Sequence, residues 1–276
     1  MLYLVLSVFC SVLIANLLML FNHKSKHSIL PVFLGNYLMA GLFSYASLSS
    51  RSIYLPWFDL VLGVVTGAFF LLNFWVYQRS IVINGLSLSV GVMRISMIVP
   101  VLLAVVLFRD GMNIWNLAGI ITGLAAFSLK TKLKELHNLL WLIGLFLVSG
   151  LTDASLKVFK ELGSGGEAGF IFIIFSAAFC FTLGTMLLGR LPLSWRSLLF
   201  GCVLGIPNRY STVFFLNGLD SVPATIAYPL VAVLIMLLSI VSDLIIWKKQ
   251  AQTRDIILWV LLLLSLLLLN VRTAGG

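Results

Sequence analysis

Charge is scarce in this chain. Asp, Glu, Lys and Arg make up 10% of its 276 residues, against 61% hydrophobic residues, and mean hydropathy is +1.12. A water-soluble domain carries roughly a quarter charged residues, so soluble, disordered and coiled-coil folds are excluded. Cysteine is almost absent. Cys10, Cys180 and Cys202 each stand alone in an apolar run, without the paired spacing that a zinc site or a disulfide framework needs. The three histidines, His23, His27 and His137, lie in polar breaks and join no cysteine or acidic cluster. No H-E-x-x-H, nucleophile elbow or dinucleotide fingerprint occurs, and Gly163–Gly166 is not followed by the Gly-Lys-Ser/Thr of a phosphate loop. The chain therefore reads as no enzyme, with no cofactor and no metal. The formal net charge of +9 invites a nucleic-acid reading, but the basic residues fall between apolar runs, where they act as topology signals. No nucleic-acid partner is expected.

What the chain has instead is long apolar runs. A helix needs about 20 residues to span a bilayer, and unbroken runs exclude the alternation of a lipid-facing barrel. Ten spans are expected, at about 2–21, 29–48, 57–78, 84–108, 113–129, 139–159, 168–188, 196–217, 222–246 and 255–271. The breaks are marked by Asn22–Ser28, Ser49–Pro56, Arg109-Asp110-Gly111, the flexible Gly163–Gly166, Arg190-Leu191-Pro192 and Lys248–Arg254. Residues 1–21 lack a basic n-region and a cleavage site, so they read as a retained helix.

The most polar segment, 130–138, falls near the midpoint with five spans on either side. The expected fold is an all-α polytopic membrane protein of about ten helices in two halves, 1–129 and 139–276, joined by this basic linker. With five helices each, the halves must sit inverted to one another, as in secondary transporters. A shift of 139 residues lays Phe108-Arg109-Asp110 on Trp247-Lys248-Lys249, although few letters coincide. Eleven Lys and Arg follow the odd-numbered spans and five the even-numbered ones. The positive-inside rule then puts the first set in the cytoplasm and both termini outside.

An ionisable group at the bilayer centre costs about 2.5–3.5 kcal/mol or more, so each needs a reason. Arg94 lies mid-way along the fourth span and Arg209 along the eighth. Both could bind an anionic substrate, or could pair with a buried carboxylate. Asp153 and Lys157 lie one turn apart on the sixth span and could neutralise each other. Asp153 and Lys157 are also the proton-coupling candidates, Asp153 foremost, because an unpaired carboxylate in apolar surroundings favours its neutral form. Asn36, Tyr37, Asn73, Asn208, Tyr210 and Tyr228 could line the same cavity, or could make interhelical hydrogen bonds. Gly63-x-x-x-Gly67, Gly119-x-x-x-Gly123 and Gly201-x-x-x-Gly205 allow close helix contact.

Between Gly85 and Ala125 the chain has Pro100, then Phe108 and Asp110 at a turn, then Gly119. The second half has Asn217–Pro229 and Trp247-Lys248-Lys249 before a last apolar run. These features, with Asn36-Tyr37, Ala40 and Ser149–Asp153, resemble EamA-like proteins of the drug/metabolite transporter superfamily. The family's acid is usually Glu, and Asp110 stands there. In the second half Lys249 and Leu258 replace the family's acid and glycine. The resemblance implies ten helices in two inverted halves and a central cavity for a small metabolite. Members with cytoplasmic termini are common, the reverse of the charge-based orientation.

The reading that follows is a secondary transporter of a small metabolite, an amino acid or other carboxylate, in the inner membrane of the cell. Its expected partners are that substrate and the bilayer, with a homodimer left open. The alternatives are a lipid or lipid-linked-sugar flippase, and a scaffold whose intramembrane charges are all mutually paired.

Overall fold

The computed structural model describes residues 1–24, 29–48, 56–84, 86–130, 139–248 and 253–271. Most of the basic linker 130–138 lies outside them, as do His27, His137, Lys26, Arg51, Lys132, Lys134, Lys249 and Arg272. The described residues are mostly helical, without a strand among them: α1 (Leu2–Lys24), α2 (Leu30–Ala46), α3 (Trp57–Asn84), α4 (Leu86–Ile95), α5 (Ile98–Val106), α6 (Ile114–Lys130), α7 (Leu139–Leu162), α8 (Glu167–Leu188), α9 (Trp195–Leu219), α10 (Ala224–Ile245) and α11 (Thr253–Leu269). Six of them, α1, α3, α7, α8, α9 and α10, are long and apolar enough to cross a membrane. They leave large apolar side chains exposed, among them Trp57, Leu140, Leu188 and Ile245. That is a surface suited to hydrocarbon rather than to water.

Among the described residues each of the ten expected segments is helical, nine as single helices. The fourth is broken into α4 and α5 at Ser96–Met97. The cause is Pro100, which has no N–H to give the carbonyl of Ser96 four residues before it. The Val99 N–H takes that carbonyl instead, at 3.0 Å, in a tighter turn. Pro207 and Pro229 sit inside α9 and α10 without interrupting them.

The helix starts repeat. Helices α7, α8, α9, α10 and α11 begin at residues 139, 167, 195, 224 and 253, against 2, 30, 57, 86 and 114 for α1, α2, α3, α4 and α6, an offset of 137–139 throughout. Arg109 and Lys248, the pair aligned by a shift of 139, both adopt left-handed backbone, with φ of 56° and 49°. Arg190 does so as well, where the Leu191 N–H closes the end of α8 on the carbonyl of Met186.

By compactness the chain divides into two units that cut across its halves. The first is Met1–Leu72 with Val158–Gly218, and the second is Asn73–Lys157 with Leu219–Gly276. The first unit is packed through glycine. A Cβ at Gly201 would meet the backbone of Val32, and one at Gly205 the carbonyl of Asn36, so α9 lies directly on the α2 backbone. Gly67 presses α3 against the Ile174 carbonyl of α8 in the same way. Ser7 and Ser11 of α1 meet Ser211 of α9. Tyr37 and Phe70 converge on Phe175. The Gly163–Gly166 loop, expected to be flexible, is tied down: the Ser164 and Gly165 N–H groups donate to the Asp59 carboxylate at 3.1 and 2.6 Å.

In the second unit α6 lies against α11. A Cβ at Gly119 would reach the Leu269 backbone, and the Ser265 hydroxyl donates to the Gly119 carbonyl. Asn113 caps α6, accepting the Asn116 N–H at 2.7 Å. Gly150 of α7 admits the α4–α5 break, since a Cβ there would lie 2.5 Å from the Val99 side chain and 3.1 Å from the Ser96 carbonyl.

Candidate functional site

The candidate residues divide between the units and form one polar cluster in each. In the first unit, α2 presents Asn36, Ala40, Ser44 and Ser47 at positions i, i+4, i+8 and i+11, which is one stripe of a helix. The glycine contacts hold this stripe against α9. Asn208 Nδ2 donates to Asn36 Oδ1 at 3.1 Å, inside a contact where both residues are buried. Two turns further along α2, Arg209 Nε donates to Ser44 Oγ at 3.2 Å and Nη2 to Ser47 Oγ at 2.8 Å. The guanidinium also lies 4.8 Å from the Tyr210 ring. Arg209 is only 6% exposed. Among the described residues no carboxylate forms an ion pair with it. Asn36 Nδ2 is buried without a hydrogen-bond partner among them. Tyr37 points into the core, fully buried against Phe175.

The second unit gathers Asn73, Arg94, Asp153 and Tyr228. Ser149 of α7 donates to Asn73 Oδ1 of α3 at 2.6 Å. The Tyr228 hydroxyl of α10 donates to the Asp153 carbonyl of α7 at 2.7 Å. Arg94 of α4 interacts electrostatically with Asp153 and with Tyr77 of α3. Its Nε is buried with no hydrogen-bond partner among the described residues. Arg94 and Asp153 both retain some accessible surface.

Lys157 corrects the sequence reading. Among the described residues it forms no salt bridge with Asp153 one turn back. It donates to Asp110 Oδ2, across the turn between α5 and α6, at 2.9 Å. The same oxygen accepts the Ala224 N–H at the start of α10, at 3.2 Å, and the Thr225 hydroxyl donates to the Gly111 carbonyl beside it. Asp110 thus ties α7 and α10 to this turn, and Lys157 is engaged there rather than beside the proton-carrier candidate. Lys157 also lies 5.4 Å from the Phe108 ring.

Sequence reasoning missed Ser44, Ser47 and Tyr77, and noted Ser149 only as part of the resemblance, without a place at the site. Helical spacing could have found them. Ser44 lies eight residues beyond Asn36, Tyr77 four beyond Asn73 and Ser149 four before Asp153, each on the face of a residue already singled out.

No known protein-family profile matches the sequence. An uncharacterized protein of Haemophilus influenzae is 25% identical over 238 residues, 79% of either chain. A solved crystal structure that is 15% identical aligns over 97% of this chain and 96% of that one, with a TM-score of 0.74. The fold is therefore one already seen by experiment.

Proposed function

We propose that this chain is an integral membrane protein of the inner membrane, with ten helices in two inverted five-helix halves. In this reading it is a secondary transporter that moves a small carboxylate-bearing metabolite, such as an amino acid, by alternating access, as the EamA-like proteins it resembles would imply. The carrying observation is Arg209. A buried cation is normally matched by an anion, because removing either charge from water costs several kcal/mol, or about that much after relaxation. Here the guanidinium rests on two serine hydroxyls and an aromatic ring, and meets no carboxylate among the described residues. A transported carboxylate would supply the missing charge. The regular offset of the helix starts and the proline-broken fourth span fit the repeats and interrupted helices of such transporters.

The test is flux into proteoliposomes, with wild type compared to Arg209→Gln. Losing a charge-assisted contact worth about 1.5–3 kcal/mol should lower carboxylate affinity by roughly ten- to a hundredfold. Unchanged carboxylate flux in Arg209→Gln would remove this residue from the site.

A further inference from the structure

We infer that Arg94 and Asp153 form a proton-linked carboxylate site, in which a substrate carboxylate takes the Arg94 guanidinium and Asp153, released from it, takes up a proton. The inference rests on the transport reading above and adds to the Arg209 site a second carboxylate station, at which the coupling takes place. It begins from packing. Gly150 lets the α4–α5 break approach α7 so closely that the Ser96 carbonyl would lie 3.1 Å from a Cβ at that position. Arg94 stands two residues before the break, and Asp153 one turn beyond Gly150. The two helices therefore bring a cation and a carboxylate together inside one compact unit.

The pair is matched in charge but incompletely joined. Its members interact electrostatically, yet among the described residues no salt bridge at contact distance links them. Arg94 Nε has no hydrogen-bond partner there. Arginine offers five donors in a planar fork suited to a carboxylate, so the guanidinium has donors left for a second anion.

Among the described residues no cation but Arg94 acts on Asp153. Arg94 faces it from α4 and Tyr228 from α10, while Tyr77 of α3 faces Arg94. Lys157, on the same helix, is held by Asp110. Tyr228 donates its hydroxyl to the Asp153 backbone, not to the carboxylate. When a substrate carboxylate claims Arg94, Asp153 becomes a carboxylate alone in apolar surroundings, and such a group is stable only with a proton.

The step balances. Before binding, the site holds one positive guanidinium and one carboxylate anion. Afterwards it holds the guanidinium, the substrate carboxylate and a neutral Asp153 carboxyl. With a monocarboxylate anion its net charge is zero in both states, with an amino-acid zwitterion the ammonium adds one positive charge to the occupied state, and in either case one proton enters for each carboxylate. No bond other than the O–H of Asp153 forms. A monocarboxylate anion would cross with its proton and no net charge.

The experiment uses proteoliposomes of the full chain, with radiolabelled lactate and radiolabelled alanine as separate probes and a pH dye inside. Membrane potential is clamped at zero. An acid-outside gradient of about one pH unit should drive roughly tenfold accumulation in wild type, with matching proton entry. Asp153→Asn should abolish that accumulation and make lactate entry follow an imposed potential. Asp153→Glu should keep it. Lactate entering through wild type without a proton would overturn the inference while leaving transport intact, and so would gradient-driven accumulation persisting in Asp153→Asn. Failure of both probes to enter through wild type would bring down the transport reading, and the coupling with it.

Discussion

In the first compact unit the buried cation, Arg209, rests on Ser44 and Ser47 and lies over Tyr210. In the second, Arg94 lies within electrostatic reach of Asp153 and Tyr77. The scaffolds differ as well. The first unit sets helix backbones directly against each other through Gly201, Gly205 and Gly67. The second is fastened partly by charge, since the Asp110 carboxylate holds both Lys157 and the start of α10. The comparison teaches that a cation can be kept inside an apolar bundle in two ways. One uses neutral donors and acceptors, which leave its charge open to a ligand. The other places it near a fixed anion, with which a ligand must compete.

The comparison can be broken most severely at Lys157. Lys157→Met leaves a mostly buried Asp110 without its cation and should cost about 3–5 kcal/mol. Thermal unfolding in detergent would register the loss, and Asp110→Asn in the same chain should recover most of it. Equal stability of the single variant would show that the second unit is not held by this pair. The matching test of the first unit is Gly201→Val. Its new side chain must push α2 away, at about 3 kcal/mol or more, and its melting temperature should fall even though no charge has changed. Ser44→Ala probes the neutral seat of Arg209. The lost hydrogen bond to a charged group should cost about 1.5–3 kcal/mol, shared between stability and carboxylate affinity, and a binding titration separates the two. The smallest effect is expected at Arg190, whose left-handed backbone costs a non-glycine residue roughly 1–2 kcal/mol. Arg190→Gly should raise the melting temperature slightly and leave flux unchanged.

Much of the fold was legible because apolar runs and polar breaks report helices directly. Both the ends at Arg109–Gly111 and Arg190–Pro192 and the starts near 139 and 195 fall within a few residues of expectation. The break in the fourth span was signalled by Pro100, but its position at Ser96–Met97 follows from which carbonyl loses its donor, a consequence that run length does not register. Which residues form compact units was not legible, because midpoint symmetry says nothing about which helices touch. The site was half legible. Charge in an apolar run pointed to Arg94, Arg209 and Asp153. Partnership did not follow from sequence distance: Asp153 is four residues from Lys157, whereas the partner of Lys157 is 47 residues away, in the turn of another helix pair. The serines that seat Arg209 carry no charge and look like any small residue of a packed helix.

The constant step between corresponding helix starts has one more consequence. Few letters coincide under that shift, yet corresponding helices begin in the same places to within two residues. The proposed membrane setting offers a ruler external to the chain. In that setting a hydrocarbon layer of fixed thickness would set how many residues each pass requires, so an insertion in any one pass would be penalised wherever it occurred, while exchanges of one apolar side chain for another would go almost unnoticed. In such a chain a metre would persist long after the words had changed.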